Sequence, residues 1–312
     1  MYKERGFIMK KMRIPLLIAL AVAIIGIIFG SFFDFQISSA IANPKSIFGL
    51  TVSAICPTLG FAAVAAMGGG FVAIIVKGKN HIALKILFGV LAAACLGVAI
   101  FYPAGEYFGE NGFYWVAPKW VGYLIVILPE CAAMVGGYFL FKDYENDKLW
   151  IIFCIVVALL LIALLAVIPI IKDNMHRPRF RFISTHSEVE FHNWWEPFKE
   201  YSSDWIKATG FSKEDFKSFP SGHTAETSIL LVGATLFPMA SKKLQKYQLP
   251  VFIGSGVLVL LVALARIMAA AHFLSDVSMG ATIVLVLLFA TNETIVHIKA
   301  LQLKEEEPAA QE

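Results

Sequence analysis

The sequence predicts an all-α protein, a polytopic transmembrane helical bundle of about eight spans with an extracytoplasmic loop of short helices. Of its 312 residues, 58% are hydrophobic and only 16% are charged, whereas ordinary soluble domains carry about 25% charged residues. The apolar residues form long runs, each near the ~20 residues that an α-helix needs to cross a bilayer. Backbone groups in lipid must be paired internally, so these runs predict helices.

The eight predicted spans follow one another along the chain. They cover residues 13–33, 50–76, 82–102, 119–141, 149–171, 221–241, 249–269 and 275–298. We interpret the first as a retained helix rather than a signal peptide, because no small-residue cleavage site follows it. The chain then divides into an N-terminal four-span extension (1–148), a core (149–298) that includes the extracytoplasmic loop (172–220), and a disordered cytoplasmic tail (299–312).

Basic residues predict which side of the bundle faces the cytoplasm. Lys and Arg cluster before the first span and after the second, fourth, sixth and eighth, which places these clusters on one side. The positive-inside rule makes that side cytoplasmic. The segment after the fifth span breaks the trend, since Lys172, Arg177, Arg179 and Arg181 lie on the opposite side. Cations there favour an anion-binding site, while a net charge of +3 is too small to predict a nucleic-acid partner.

The sixth span opens with the tetrapeptide Pro220-Ser221-Gly222-His223. A helix start presents unpaired N–H groups and the positive end of the helix dipole, which suit an anion. Gly222 permits close backbone approach, Ser221 adds a hydroxyl donor, and His223 could donate a proton. Alone, the tetrapeptide is equally compatible with a capped helix and an interfacial histidine.

A second segment joins the last two spans and contains Arg266, His272 and Asp276. His272 and Asp276 are four residues apart, so on one helix they share a face and can form a hydrogen bond. Such a carboxylate would fix one imidazole nitrogen and leave the other as a nucleophile. Arg266 lies about 240° around an ideal helix from His272, so either the helix breaks or the arginine side chain wraps back. A structural ion pair is the alternative.

The third segment, Lys172 to Phe180, lies just outside the fifth span. Two or three cations at short spacing suit a phosphate, with Arg offering a fork of donors and Lys a point charge. A basic anchor for lipid headgroups is the alternative interpretation.

Together these segments resemble the type-2 phosphatidic acid phosphatase superfamily, which also includes glucose-6-phosphatase and the vanadium haloperoxidases. The family pattern is Lys-x6-Arg-Pro, then Pro-Ser-Gly-His, then Ser-Arg-x5-His-x3-Asp. The second motif matches fully, and the third has Ala265 in place of the serine. The first matches in spacing as Lys172-x6-Arg179, with Phe180 in place of the proline, and we favour Arg179 over Arg177 on that spacing.

The resemblance covers roughly residues 165–295 and implies a metal-independent phosphatase. By resemblance, His272 attacks phosphorus, Asp276 orients it, and His223 protonates the leaving oxygen. The phosphoryl oxygens would be held by Lys172, Arg179, Ser221, the N–H of Gly222, and Arg266. No carboxylate cluster suited to Mg²⁺ stands beside these residues, so we predict no metal and no cofactor.

The expected substrate is a lipid phosphate, such as undecaprenyl pyrophosphate, phosphatidylglycerol phosphate or phosphatidic acid. A soluble sugar phosphate is the alternative within enzymes, and an anion transporter is the alternative from another class. The predicted location is a bacterial plasma membrane with the site extracytoplasmic. The predicted partners are the substrate and membrane lipids, and the sequence leaves the oligomeric state open.

Aromatic residues in the predicted loop recur at helical spacing. Trp194, Phe198, Tyr201 and Trp205 would form one stripe on a helix that begins near Pro197. We interpret the stripe as an interfacial lid or as a face packed onto the bundle, and the two interpretations are compatible.

Overall fold

The computed structural model describes residues 2–77, 81–108, 118–142, 147–196, 201–239 and 242–306, and every regular element among them is helical. The predicted all-α bundle is therefore confirmed. Its helices are α1 (Tyr2–Ile41), α2 (Ile47–Lys77), α3 (Ile82–Phe108), α4 (Lys119–Phe141), α5 (Asp147–Ile162), α6 (Ile168–Met175), α7 (Phe180–Ile183), α8 (Ser203–Thr209), α9 (Gly222–Leu236), α10 (Lys242–Gln245), α11 (Gln248–Met268) and α12 (Leu274–Glu306). A π-helical turn, Ala163–Val167, joins α5 to α6.

Seven stretches within the described ranges are long and apolar enough to cross a membrane. They are Met9–Ile41, Ile47–Lys77, Ile82–Gly105, Trp120–Phe141, Ile152–Ile183, Gln248–Met268 and Leu274–Ile298. The chain is thus an integral membrane protein. α12 continues as a helix to Glu306, into the segment 299–312 that was predicted to be a disordered tail. Residues 307–312 lie outside the described ranges.

The predicted sixth span is α9, which has 15 residues. At 1.5 Å per residue it is about 22 Å long, shorter than the ~30 Å hydrocarbon layer. All its side chains except Leu230 are buried, because α2, α11 and α12 pack around it. This enclosure explains how a helix rich in polar residues lies inside a membrane bundle: its side chains face protein rather than lipid.

Glycines set the closest helix contacts, as is usual where helices pack in lipid. A Cβ placed on Gly60 of α2 would meet the carbonyl of Glu226 in α9, and a Cβ on Gly137 of α4 would meet the carbonyl of Ala66 in α2. Gly69 of α2 lies equally close to α4. These positions hold α2 against both neighbours at backbone distance.

Several helix termini meet at one end of the bundle, which we call the motif end. The link after α1 contacts the end of α11 there, where the N–H of Asn43 donates to the carbonyl of Met268 at 2.7 Å. The start of α9 contacts the start of α12, where the N–H of Ser221 donates to the carbonyl of Asp276 at 2.9 Å. The three sequence motifs are thereby brought to the same end.

The segment between α6 and α9 folds over the motif end around its own small core. That core, which we call the loop core, consists of Phe182, Val189, Tyr201, Ile206 and Phe216. The segment contains α7, α8 and a 3₁₀ turn, Lys213–Phe216, so the predicted short helices are present.

The predicted aromatic stripe does not lie on one helix. Trp194 is in a turn and α8 begins only at Ser203, while Phe198 and Pro197 lie outside the described residues. Trp194 instead stacks on Phe219 at 5.5 Å and donates its indole N–H to Ser31 of α1 at 3.0 Å. Trp194 therefore packs onto the bundle, whereas Tyr201 and Trp205 pack in the loop core.

Candidate active site

The connection from α11 to α12 places His272 between two helices rather than on one. α11 ends at Met268, two residues after Arg266, and α12 begins at Leu274. Ala270 in this connection has a positive φ of 55°, a conformation that non-glycine residues rarely adopt. The helix break anticipated from the position of Arg266 is therefore present, and it frees His272 from helical geometry.

Asp276 lies in the first turn of α12 and is fully buried. Its Oδ2 accepts the N–H of Phe273 at 2.8 Å, which caps the helix start from within. The same oxygen accepts the hydroxyl of Ser218 at 2.5 Å, and Oδ1 accepts from Arg177 at 2.5 Å. Each carboxylate oxygen thus has a donor of its own.

His272 pairs with the backbone carbonyl of Ser218 rather than forming the predicted hydrogen bond with Asp276. Nδ1 of His272 lies 2.5 Å from the carbonyl oxygen of Ser218 and 3.7 Å from Oδ2 of Asp276. Because the connection is not helical, the four-residue spacing does not align the two side chains as it would on a helix. A carbonyl only accepts, so Nδ1 carries the proton and Nε2 keeps its lone pair.

The imidazole of His272 is 1% exposed. Burial lowers its pKa well below its ordinary value; the nearby Asp276 opposes this, while the positive charges of Arg266, Arg179 and Lys172 add to it. The ring is therefore neutral near neutral pH, which is the form that acts as a nucleophile.

Arg177 is also fully buried. One terminal nitrogen donates to Asp276 and to the hydroxyl of Ser275 at 2.8 Å, and the other donates to Asp34 at 2.9 Å. Its guanidinium lies 4.4 Å from the ring centroid of Phe273, a cation–π distance. Arg177 is thus paired with the buried carboxylates of Asp34 and Asp276. Arg179, the arginine favoured by the motif spacing, has different partners.

Asp34 comes from the far end of the chain, in α1. Its Oδ1 accepts the N–H of Ser275 at 2.9 Å, and its Oδ2 accepts the hydroxyl of the same serine. It is 1% exposed. Asp34, Arg177, Ser275 and Asp276 form one buried network, which we call the support network.

Arg179 and Lys172 lie close enough to the two imidazoles for their charges to act on them. Arg179 is the N-cap of α7 and is 7% exposed, with one terminal nitrogen 3.7 Å from Glu214. The charges of Arg179, Lys172 and Arg266 act on both His272 and His223. The structure therefore surrounds the two imidazoles with three cations.

The start of α9 completes the pocket. Ser221 is the N-cap, and its hydroxyl accepts the N–H of Thr224 at 3.4 Å. The N–H groups of Gly222 and His223 point out of the helix start, where no intrahelical acceptor precedes them. A Cβ on Gly222 would lie 3.2 Å from Oε1 of Glu226, a tight contact, and 3.6 Å from Nζ of Lys172, so both side chains lie close to the start of α9.

The comparison with protein families agrees with this arrangement. A model of the PAP2 superfamily matches residues 147–297, the part of the chain that carries all three motifs. This segment is similar to the PAP2 superfamily. The resemblance predicted from the motifs is confirmed, and α1 to α4 lie outside the matched segment.

The match to the PAP2 superfamily suggests phosphatase activity on phosphate esters. No curated protein and no solved structure matches the chain. Within the described residues, no group of three or more His, Cys, Asp and Glu side chains is placed to hold a metal ion.

The structure gathers the predicted residues and adds others that the sequence analysis missed. Lys172, Arg179, Ser221, Gly222, His223, Arg266, His272 and Asp276 all lie at the motif end. Asp34, Ser218 and Ser275 were missed. Asp34 left a signal, because an ionisable residue within a span is a candidate by default; nothing in the sequence distinguishes Ser218 or Ser275 from other serines.

Proposed function

We propose that this protein hydrolyses a lipid phosphate through a transient phosphohistidine on His272, without a metal ion. The observation that carries the proposal is the hydrogen bond from Nδ1 of His272 to the Ser218 carbonyl. That bond fixes the tautomer and leaves Nε2 as the free, uncharged nucleophile inside a cationic pocket.

In the first step, the Nε2 lone pair of His272 forms a bond to phosphorus while the phosphorus–oxygen bond of the ester breaks. The electron pair leaves on the ester oxygen, which takes a proton from the imidazolium form of His223. In the second step, water attacks phosphorus and gives its proton to His223, and the phosphorus–nitrogen bond breaks to restore His272. The first step uses the proton of His223 and the second step restores it, so His223 is unchanged over the full cycle.

Positive charge takes the place that a divalent cation holds in other phosphoryl-transfer sites. Lys172, Arg179 and Arg266 supply charge, while Ser221 and the N–H groups at the start of α9 supply directed donors. Phosphoryl transfer depends mainly on positioning and on stabilising the equatorial oxygens. The proposed assignment of Arg179 rather than Arg177 is supported by their different partners, since Arg177 is engaged by Asp34 and Asp276.

A lipid substrate is favoured over a soluble sugar phosphate because the pocket lies where apolar helices end. The experiment is phosphate release by the purified protein from a panel of lipid phosphates and soluble sugar phosphates, with a chelator present. We expect release from a lipid phosphate that is undiminished by the chelator. Release from sugar phosphates alone would favour the alternative substrate class, and strict dependence on Mg²⁺ would reject the mechanism.

The covalent intermediate is tested directly by rapid quenching with labelled substrate. We expect label on the wild-type protein that survives alkali and is lost in acid, as a phosphoramidate requires, and none on His272→Ala. The proposed orientation, with the site on the extracytoplasmic side, is tested by attaching an impermeant thiol reagent to a cysteine introduced at Ser187, which is exposed in the loop.

A further inference from the structure

An apolar groove of about 590 Å³ runs along the bundle beside the motif end. Its size lies within the ~300–1,000 Å³ range of small-molecule sites. α1 and α11 form its two walls, and α9 and α12 form its floor. α1 packs along α12 and α11 packs along α9, whereas α1 and α11 make little contact, so the groove lies between these two walls.

The groove opens sideways toward lipid. Ile18 and Val22 on the α1 wall, and Ile253 and Leu260 on the α11 wall, line the groove and are also exposed. These side chains lie within helices that are long and apolar enough to cross the membrane. A chain already in the bilayer could therefore enter the groove laterally, without passing through water.

The end of the groove nearest the motif end adjoins the phosphate pocket. Thr224 lines the groove, and its hydroxyl lies 3.1 Å from that of Ser221, the N-cap of α9. Leu274 also lines it and follows His272 by two residues. From this end the α11 wall extends from Ala263 down to Leu249, about 21 Å along the helix axis at 1.5 Å per residue.

We propose that this groove holds a hydrocarbon chain of the substrate while its phosphate lies in the pocket beside His272. The inference rests on the proposed function and adds where the hydrocarbon chain of the substrate binds. Lipid tails are as apolar as the groove, so little affinity comes from burial of the chain. The groove acts by position: it allows the phosphate to reach the pocket while the chain stays in an apolar environment.

Two glycines in α11 provide a matched pair of variants. A Cβ on Gly256 or on Gly254 would meet no atom within 4 Å. Gly256 lines the groove, whereas Gly254 does not. Gly256→Phe therefore fills the groove, and Gly254→Phe makes the same chemical change on another face of the helix. Neither should unfold the protein, because glycine is the weaker helix former.

The first readout is hydrolysis of phosphatidic acid with long chains or with six-carbon chains, in the same detergent. Moving a reacting group by about 1 Å costs on the order of 10²-fold, so we expect Gly256→Phe to lose at least ~10-fold in kcat/KM on the long-chain form. Activity on the short-chain form should change less than about twofold, and Gly254→Phe should leave both activities unchanged. An equal effect of Gly256→Phe on both chain lengths, or none on either, would overturn the proposal.

The second readout does not depend on turnover. His272→Ala protein is photolabelled with phosphatidic acid that carries a diazirine on its acyl chain. We expect labelled peptides from α1 and α11, fewer when Gly256→Phe is added, and no reduction with Gly254→Phe. Equal labelling by a diazirine phosphatidylcholine would mean that any membrane lipid fills the groove, and would reject the proposal.

The two readouts separate this inference from the proposed function. Suppose that the wild-type protein releases no phosphate but the groove is still labelled only by the lipid phosphate. That result would support the groove as a lipid phosphate site and reject the proposed phosphatase activity. Turnover of long-chain substrate that is insensitive to Gly256→Phe would retain the enzyme and reject the groove.

Discussion

Arg177 and Asp34 form a buried ion pair of 2.9 Å, although 143 positions separate them in the chain. The same guanidinium holds Asp276, the carboxylate beside His272. Asp34 belongs to α1, outside the segment that matches the family. α1 therefore contributes Asp34 to the support network around Asp276.

Replacement of Arg177 should damage both stability and turnover. Arg177→Met leaves two buried carboxylates uncompensated, which costs about 3–5 kcal/mol of unfolding free energy. Arg177→Lys keeps the charge but cannot offer the same fork of donors to Asp34 and Asp276. We expect the lysine variant to recover part of the thermal stability while kcat stays at least ~10-fold low and KM changes little.

Thermal unfolding in detergent and steady-state kinetics, measured below the unfolding range, check this prediction. Arg179→Met is the control, because Arg179 lies on the pocket side. It should lower kcat/KM and leave thermal stability nearly unchanged. Full activity in Arg177→Lys, with stability alone reduced, would show that Arg177 has only a structural role.

Ser218 should matter through its backbone more than through its hydroxyl. The carbonyl of Ser218 accepts from His272, whereas its hydroxyl donates to Asp276. Ser218→Ala keeps the carbonyl and removes a single donor, so we expect a loss in kcat of less than ~10-fold, in line with the ~1 kcal/mol of an ordinary hydrogen bond. Asp276→Asn disturbs Arg177 and the helix cap together, and its kcat should fall by at least ~10²-fold. A Ser218→Ala loss as large as that of Asp276→Asn would contradict the geometry.

The acid limb of the pH profile should lie below the titration of an ordinary histidine. Burial lowers the pKa of His272 well below its ordinary value of 6.5, and the proposed mechanism requires the neutral ring. As pH falls, activity persists through 6.5 and is lost only when pH passes the lowered pKa. We expect kcat/KM for a lipid phosphate to remain high at pH 6. The substrate's own second ionisation, near pH 6, is titrated separately, and an acid limb centred above 6.5 would exclude a buried neutral His272 as the nucleophile.

Adjacent glycines in α4 should respond in opposite ways to alanine. A Cβ on Gly137 would lie 2.6 Å from the carbonyl carbon of Ala66, while a Cβ on Gly136 would meet nothing within 4 Å. Gly137→Ala must push α4 away from α2 and should destabilise the protein by about 1–3 kcal/mol. Gly136→Ala should be neutral or stabilising by up to ~1 kcal/mol, because alanine is the better helix former. Thermal unfolding in detergent measures both, and equal midpoints would contradict the close α2–α4 contact.

Much of the fold was predictable because backbone groups in lipid must be paired internally, which restricts the spanning segments to regular structures such as helices. Apolar runs of membrane length must form helices, so the spans were recovered to within several residues at most ends. The span predicted at α9 was six residues too long. The helix is shorter because α2, α11 and α12 enclose it, so it need not match the thickness of the lipid. The helix break before His272 was predicted only as an alternative to an Arg266 side chain that wraps back around the helix. Helix periodicity alone does not show where a helix ends.

The sequence by itself determined the family, the bundle and the chemical groups of the site, because motif spacing and apolar length are local properties of the chain. The tertiary structure decided which partner each group meets. It gave His272 the Ser218 carbonyl instead of Asp276 and directed Arg177 inward to Asp34. Hydrogen bonds and ion pairs act over a few ångströms in space, and helix packing, rather than sequence distance, brings residues that close.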